Sequence, residues 1–285
     1  MRICRFVQRH SAVRIGLLSG EDAVIDLTSA GFLTLADLLE NDDAINRLTT
    51  LTTEQLPRIP LSEIRFCAPV EHQEVWAAGV TYQRSKQARM EESDFSATAY
   101  DRVYEAERPE LFFKSMPRKV VAHGESVGIR ADSKWNVPEP ELALVINSKG
   151  KIVGHTIGND LSSRDIEGEN LLYLPQAKIY DGSCALGPCL LLGSSEAEVR
   201  QWSIQIEISR SGKSVFAGET SLNKIKRNFK ELVDYLFRSQ TFPNGVILLT
   251  GTGVVPPDQF TLEAEDVVTI TVPEIGTLRN AVKVV

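Results

Sequence analysis

The sequence predicts a mainly β protein with some α structure, which places it in the α+β class. From Val120 onward, nearly every segment is a short apolar run between Gly, Pro or Asp turns, as in strands. Only Asn223 to Arg238 in this part has a clear helical period, whereas the first residues combine short strands with helices. We therefore expect a small N-terminal α/β domain over residues 1–65 and a larger, mainly β domain over 66–285.

Composition limits the classes of partner. The chain of 285 residues is 42% hydrophobic and 24% charged, which is ordinary for a globular protein. Its net charge of −7 disfavours nucleic acid and anionic membrane, since phosphate binding depends on clustered Lys and Arg. No run approaches the roughly 18 apolar residues of a membrane span, and four scattered cysteines suit a reducing compartment. We expect a cytoplasmic protein with a small-molecule ligand.

The first 65 residues divide into three segments. Residues 2–27 alternate in short pieces around a Ser-Gly-Glu-Asp turn, which predicts an antiparallel meander. Residues 34–51 carry leucines at helical spacing with an acidic break, which predicts two short amphipathic helices. The proline-punctuated segment from Leu56 to Leu61 predicts a connector, which places the domain boundary near residues 56–70.

The larger domain begins with apolar segments separated by a charged stretch. Val75 to Val80 and Leu111 to Phe113 are predicted strands, and the helix-forming residues 84–107 between them predict either a solvated surface hairpin or a mobile cover. The strands predicted after these are Val127–Arg130, Leu142–Ile146, Ile152–Ile157, Leu190–Leu192, Ile204–Ser209, Val246–Thr250 and Val267–Val272. Asn223 to Arg238 is a predicted helix, with its apolar side chains on one stripe.

Candidate metal ligands occur at the start of one predicted strand. Pro138 and Pro140, followed by alternating apolar residues, predict an extended edge strand on which Glu139 and Glu141 share a face. Asp160 supplies a third carboxylate. Three carboxylates without nearby His or Cys suit a hard cation, Mg²⁺ or Mn²⁺, although acidic pairs are also common on solvated strand edges. Spacing alone leaves both interpretations open.

A set of motifs in this order resembles the fumarylacetoacetate hydrolase family. The motifs are Pro138-Glu139-Pro140-Glu141-Leu142-Ala143, Gly158-Asn159-Asp160-Leu161-Ser162-Ser163-Arg164-Asp165, Leu174-Pro175-Gln176-Ala177-Lys178, Leu186-Gly187-Pro188, Thr250-Gly251-Thr252 and Ile275-Gly276-Thr277-Leu278. The resemblance covers roughly residues 70–285. It implies a fumarylacetoacetate-hydrolase-like distorted β-roll, a homodimer or homotetramer, and a divalent metal held by Glu139, Glu141 and Asp160.

Further segments are similar to the branch of the family that dehydrates 2-keto-3-deoxy pentonates. They include Ala78-Gly79-Val80-Thr81-Tyr82 and Arg108-Pro109-Glu110-Leu111-Phe112-Phe113-Lys114. Acylpyruvate hydrolases of the family carry a water-activating His and Glu after a comparable tyrosine, where this chain has Ser85 and Ala88. The resemblance thus implies Mg²⁺-dependent dehydration of 2-keto-3-deoxy-D-arabinonate to 2,5-dioxopentanoate in pentose catabolism, through a metal-stabilised enolate. The alternatives are an acylpyruvate hydrolase, a hydratase or decarboxylase of another 2-oxo acid, and a non-catalytic metal-binding scaffold.

The implied chemistry requires a proton carrier, for which Lys178 is the first candidate. Lys178 either accepts the proton as a neutral amine or stays charged and binds the substrate. Glu110 is a candidate acid for the leaving hydroxyl, or a structural partner of Arg108 or Lys114. Thr250, Thr252 and Ser85 are expected to contact the 2-oxo sugar acid, and Arg164 is expected to pair with Asp165 beside the metal ligands.

Overall fold

The computed structural model describes residues 1–9, 11–51, 55–82 and 102–285. Its strands are β1 (Arg2–Gln8), β2 (Arg14–Ser19), β3 (Ala23–Asp26), β4 (Arg58–Pro60), β5 (Ile64–Cys67), β6 (Glu74–Gly79), β7 (Glu110–Ser115), β8 (Ser126–Ile129), β9 (Asn136–Val137), β10 (Pro140–Ile146), β11 (Ile152–Asp160), β12 (Ser162–Ser163), β13 (Cys184–Leu192), β14 (Ser203–Arg210), β15 (Lys213–Ser221), β16 (Val246–Leu249), β17 (Val267–Val272) and β18 (Gly276–Val284). Its α-helices are α1 (Ala36–Leu39), α2 (Ala44–Thr50), α3 (Arg164–Glu169), α4 (Leu174–Lys178), α5 (Glu196–Val199) and α6 (Phe229–Phe237). The predicted mainly β architecture is confirmed.

Two sheets form the body of the described ranges. The larger has the strand order β4-β3-β2-β1-β13-β11-β10-β16-β6-β7, with β5 added beside β1, and the smaller has the order β15-β14-β17-β18-β8. Most pairs are antiparallel, and β16 with β6 and β18 with β8 are parallel. A two-stranded ladder of β9 and β12 lies next to the chain segments that carry the site.

Strand β10 lies in the interior of the large sheet, so the prediction of an edge strand is wrong. It pairs with β11 from Pro140 onward but with β16 only from Ala143 to Ile146. Proline is tolerated at the first residue of a strand, where no second partner requires its missing N–H. The two prolines therefore mark the start of a central strand and do not mark a sheet edge.

Both faces of β10 are covered, because its alternate residues enter different clusters of the core. Leu142, Leu144 and Ile146 pack in the cluster that includes residues of the smaller sheet and of α6. Ala143 and Val145 pack in the cluster that includes residues of α1 and α2. The site residues at the beginning of this strand are thus attached to the most buried part of the fold.

The N-terminal residues add to the large sheet. The predicted meander is observed as β1 to β3, the predicted helices as α1 and α2, and β1 pairs with β13 of the larger segment. The predicted boundary between residues 65 and 66 lies within β5 and stays a prediction. The predicted hairpin or cover at 84–107 lies largely on residues 83–101, outside the described residues.

The predicted helix of residues 223–238 is confirmed in type, although it begins at Phe229. The side chain of Asn228 accepts a hydrogen bond from the Glu231 N–H, which caps the helix at that point. Its apolar stripe is buried, as the periodicity predicts. Within the described ranges, no helix combines the length and the hydropathy needed to cross a membrane.

Candidate functional site

Three carboxylates converge at the end of β11. Glu139 precedes β10 and Glu141 lies within it, so the two side chains share a face, and the Asp160 N–H donates to the Glu139 carbonyl at 3.0 Å. Carboxylate oxygens of Glu139, Glu141 and Asp160, here called the carboxylate cluster, lie within 4.8 Å of one another. Each residue is at most 3% exposed, so the interpretation of this segment as a solvated strand edge is wrong.

Two buried lysines contact the carboxylate cluster. Lys178, the last residue of α4, donates from Nζ to Glu139 Oε2 at 2.8 Å, Asp160 Oδ2 at 3.2 Å and Ser162 Oγ at 2.5 Å. Lys114 Nζ lies 2.5 Å from Asp160 Oδ1 and also donates to the carbonyls of Leu161 and Lys178. The three hydrogen bonds of Lys178 use all three protons of an ammonium group, which is therefore the form that this arrangement holds.

Arg164, at the start of α3, is the third cation. Its guanidinium donates to Glu139 Oε1 at 2.5 Å, and its Nη1 atom lies 3.9 Å from Glu167 Oε2, one helical turn along α3. The predicted pairing with Asp165 is wrong, because Asp165 accepts hydrogen bonds from Ser133 and Lys134. Consecutive residues point to different sides of a helix, so Arg164 and Asp165 diverge while Arg164 and Glu167 meet.

The Thr250-Gly251-Thr252 segment contacts the cluster through its backbone. The Gly251 N–H donates to Glu141 Oε2 at 2.6 Å, and a φ of 88° at Gly251 favours glycine there. The hydroxyl of Thr250 donates to the Leu142 carbonyl, and that of Thr252 donates to the Val254 carbonyl. The backbone of this loop thus orients Glu141, one of the candidate metal ligands. The predicted contact of the two threonines with substrate stays a prediction.

Burial of the cluster has an electrostatic consequence. Burial and the neighbouring Asp160 and Glu139 carboxylates raise the pKa of Glu141 well above its ordinary value, despite the opposing effects of Lys178 and the Gly251 N–H. An added positive charge would relieve this repulsion. Because the donor set consists of carboxylate oxygens, it fits a hard divalent cation of the Mg²⁺ or Mn²⁺ type.

A cavity of about 310 Å³ lies beside α3 and the start of β7. Its lining includes Arg108, Pro109, Glu110, Glu167, Leu171 and Leu174. Glu110, Phe112 and Lys114 alternate along β7 and so share one face, which links the cavity to the lysines of the cluster. Ser85, the remaining predicted site residue, lies outside the described residues.

Sequence reasoning placed Ser162 and Gly251 in family motifs but did not predict the contacts that Lys114, Ser162 and Gly251 make in the site. A signal existed for Lys114, because a lysine that ends the apolar run Leu111-Phe112-Phe113 is placed to be buried and paired. For Ser162 and Gly251 the residue type gave no comparable signal, since serine and glycine are common in turns and both contacts join segments that are distant in the chain.

Comparisons with known proteins agree with this geometry. Residues 74–283 match the family model described as fumarylacetoacetate (FAA) hydrolase C-terminal. The chain belongs to the fumarylacetoacetate hydrolase family, as the sequence motifs predict.

Two similar relatives are dehydratases of sugar acids. The chain is 38% identical to 2-dehydro-3-deoxy-D-arabinonate dehydratase of Saccharolobus solfataricus, over 99% of this chain and 96% of the relative. It is 42% identical to a probable 2-keto-3-deoxyxylonate dehydratase of Haloferax volcanii, over 94% of each chain.

Solved structures of similar proteins share the fold over the whole chain. A hexagonal crystal form of 2-keto-3-deoxyarabinonate dehydratase matches with a TM-score of 0.85 at 35% identity, covering 100% of this chain and 99% of the other. A 2-keto-3-deoxy-D-arabinonate dehydratase complexed with magnesium and 2,5-dioxopentanoate matches with a TM-score of 0.82 at 36% identity, with the same coverage.

Proposed function

We propose that this protein is a Mg²⁺-dependent dehydratase that converts 2-keto-3-deoxy-D-arabinonate to 2,5-dioxopentanoate in pentose catabolism. The observation that carries the proposal is the buried carboxylate cluster, connected through Arg164 to a cavity with two further carboxylates. The magnesium complex of a relative that is 36% identical and the two sugar-acid dehydratase relatives support the choice of metal and reaction.

The charges around the cluster favour an anionic substrate. Lys114, Lys178 and Arg164 carry as many positive charges as the carboxylate cluster carries negative ones, and Glu167 adds one further negative charge beside Arg164. Glu110, whose carboxylate faces the cavity, adds another negative charge, so a divalent cation would bring these groups together to neutrality. The three cationic side chains would still lie beside a 2-oxo acid bound at the metal, and its carboxylate would pair with them, as buried charges require partners.

Each residue of the cluster has a defined task in this proposal. Glu139, Glu141 and Asp160 would hold Mg²⁺, which when bound polarises the keto group of a 2-oxo acid and acidifies the neighbouring C3 protons. Lys178 presents an ammonium group at the same oxygens and would hold substrate oxygen atoms by charge and hydrogen bonding. To act as the C3 base, Lys178 would first have to lose one of the protons that it donates in this structure.

Glu110 is the residue to which we assign proton transfer, because its carboxylate faces the cavity on the same face of β7 as Lys114. A Glu110 oxygen takes the proton from C3 and returns it to the C4 hydroxyl, which leaves as water and regenerates the carboxylate. The resulting unsaturated 2-oxo acid then tautomerises to 2,5-dioxopentanoate. Thr250, Thr252 and Ser85 remain proposed substrate contacts.

The test is to incubate the purified protein with 2-keto-3-deoxy-D-arabinonate and Mg²⁺, then with EDTA, and to follow 2,5-dioxopentanoate with a semialdehyde dehydrogenase. We expect metal-dependent product formation, with Glu110→Gln reducing kcat by at least about 100-fold. Cleavage of acylpyruvates without dehydration would overturn the proposed reaction. A Glu110→Gln variant with wild-type kcat would return the proton transfer to Lys178.

We also propose that the protein is a cytoplasmic homodimer or homotetramer with separate units over residues 1–65 and 66–285. The resemblance to the family supports the assembly, and the scattered cysteines support the compartment. Size-exclusion chromatography with light scattering would measure the assembly, and a monomeric mass at working concentration would exclude it.

A further inference from the structure

A buried glycine lies directly against the carboxylate of Glu110. Gly79 is the last residue of β6, and it pairs with Glu110, the first residue of β7. A Cβ added to Gly79 would lie 2.0 Å from Glu110 Oε2 and 2.6 Å from Glu110 Cδ. The side chain of Glu110 therefore leans across from β7 and fills the space that a side chain at position 79 would occupy.

The backbone conformation of Gly79 does not by itself require a glycine. Gly79 lies in a strand, and its φ is outside the left-handed region, so any residue could adopt this backbone. Glycine weakens a strand, and it is often found where another group approaches the backbone closely. The group that approaches Gly79 is the carboxylate to which we assign proton transfer.

The backbone of β6 is held in place on both sides. β6 pairs with β7 along one edge and with β16 along the other. Val80, which follows Gly79, is 3% exposed and has a φ of 51°, a strained conformation for a β-branched residue that persists only where the surroundings hold it. A side chain at position 79 would therefore displace the flexible end of Glu110, because rotating a side chain costs less than moving a paired strand.

The position of the Glu110 carboxylate matters for the proposed reaction. Glu110 shares one face of β7 with Lys114, which contacts Asp160 of the carboxylate cluster. A group that transfers a proton must stay close to one position relative to the substrate, since a displacement of about 1 Å can cost about 100-fold in rate. Packing against Gly79 restricts the long side chain of Glu110 to one such position.

We propose that Gly79 is a positioning residue for proton transfer, because its missing side chain provides the space that holds the Glu110 carboxylate in place. This inference rests on the proposed function, in which Glu110 moves a proton from C3 to the C4 hydroxyl. It names the residue that fixes the position of that carboxylate.

The first test compares Gly79→Ala with the control Gly16→Ala. Gly16 is a buried glycine of β2, and a Cβ added there would lie 2.2 Å from Val24 Cγ2 and 2.9 Å from Phe6 Cε1, in the core. Gly79→Ala should reduce kcat by about 100-fold but lower the melting temperature by less than about 2 °C, because only a flexible carboxylate has to move. Gly16→Ala should lower the melting temperature by about 3 °C or more and keep the wild-type kcat.

The double variant of Gly79→Ala and Glu110→Gln shows whether Gly79 acts through Glu110. Its kcat should be within about threefold of that of Glu110→Gln alone, because two residues that serve one step do not have additive effects. Mn²⁺ affinity should be unchanged in Gly79→Ala, since the carboxylate cluster is not displaced. A wild-type kcat in Gly79→Ala would overturn the inference, as would a further loss of about 100-fold in the double variant.

Crystal structures of wild type and Gly79→Ala give a measurement that does not depend on activity. Glu110 Oε2 should move by about 1 Å or more, because a Cβ at 2.0 Å cannot be accommodated. An unmoved carboxylate would overturn the inference. Absence of dehydration by wild type would refute the proposed function, and the two structures would still decide whether Gly79 positions Glu110.

Discussion

A buried histidine away from the site should make the protein acid-sensitive. His155 lies on β11 at 1% exposure, between the rings of Trp202 and Phe229, with centroids 5.9 and 6.3 Å away. Neither ring nitrogen has a hydrogen-bond partner among the described residues. Burial lowers the pKa of His155 from 6.5 to about 4, because the surroundings offer nothing to stabilise the imidazolium ion.

The magnitude follows from proton linkage. Between pH 6.5 and pH 4 the unfolded chain binds a proton at His155 that the folded chain does not, so the free energy of unfolding decreases as pH falls. Each pH unit in this window is worth about 1.4 kcal/mol, so His155 should cost about 2 kcal/mol at pH 5 and almost nothing at pH 7. That cost is a sizeable part of an ordinary folding free energy.

The assay is urea denaturation of wild type and His155→Leu at pH 7 and pH 5, followed by tryptophan fluorescence. The leucine variant should lose about 2 kcal/mol less than wild type between the two pH values, because other titrating groups cancel in the comparison. As a control, His72→Gln removes an exposed imidazole and should show the wild-type pH dependence. Equal losses in wild type and His155→Leu would refute the reasoning.

Three further predictions concern the site and its surroundings. Glu141→Gln should weaken Mn²⁺ binding by more than about 100-fold in calorimetry. In EDTA its melting temperature should be no lower than that of wild type, because the substitution removes a buried negative charge that Asp160 and Glu139 repel. A lower melting temperature in EDTA would contradict this. Gly251→Ala should lower the free energy of unfolding by roughly 2 kcal/mol and weaken Mn²⁺ binding, because the added Cβ would overlap the Thr81 hydroxyl. The control Gly212→Ala has a similar φ but open space around the added Cβ, so it should lose only the cost of the backbone conformation and keep its metal affinity. Arg227→Met should speed proteolysis at residues 102–109, because its guanidinium donates to three carbonyls of that segment, and an unchanged cleavage rate would exclude this anchoring.

The sequence predicts strands well where both faces of the strand are buried, and less well where one face is solvated. Strands β10 and β16 are buried at every residue, and their apolar runs predict them correctly. Strand β15 was missed because most of Lys213–Ser221 is exposed and polar, which is also typical of a loop. The edge-strand error at Pro140 has a different origin, since the position of a strand within a sheet depends on partners far away in the chain.

The site residues likewise divide into those that the sequence predicts and those that it does not. Glu139 and Glu141 were identified as a pair because strand periodicity alone places them on one face. Lys114 and Gly251 reach the cluster from β7 and from the segment after β16, and neither spacing nor composition encodes those approaches. Local rules therefore predict which residues within a segment point the same way, whereas the convergence of five segments at one point requires the fold.

The final prediction follows from the contacts of Lys178. Its ammonium group binds Glu139 Oε2 and Asp160 Oδ2, so a cation held by those carboxylates competes with Lys178 for the same oxygens. Lys178→Met removes this competitor and its repulsion of a nearby cation, which is worth several kcal/mol even at a moderate effective dielectric constant. We expect Lys178→Met to bind Mn²⁺ at least about tenfold more tightly than wild type while losing dehydration activity.

Calorimetric Mn²⁺ titration and the coupled assay measure the two effects of Lys178→Met separately. Lys119→Met is the matched control, since Lys119 pairs with Asp181 at the surface and should alter neither property. Weaker Mn²⁺ binding in Lys178→Met would mean that the lysine orients the carboxylates for the metal. Tighter Mn²⁺ binding with lost activity would mean that Lys178 lowers the metal affinity and is needed for dehydration. A site that only stored metal would not require a positive charge that weakens metal binding.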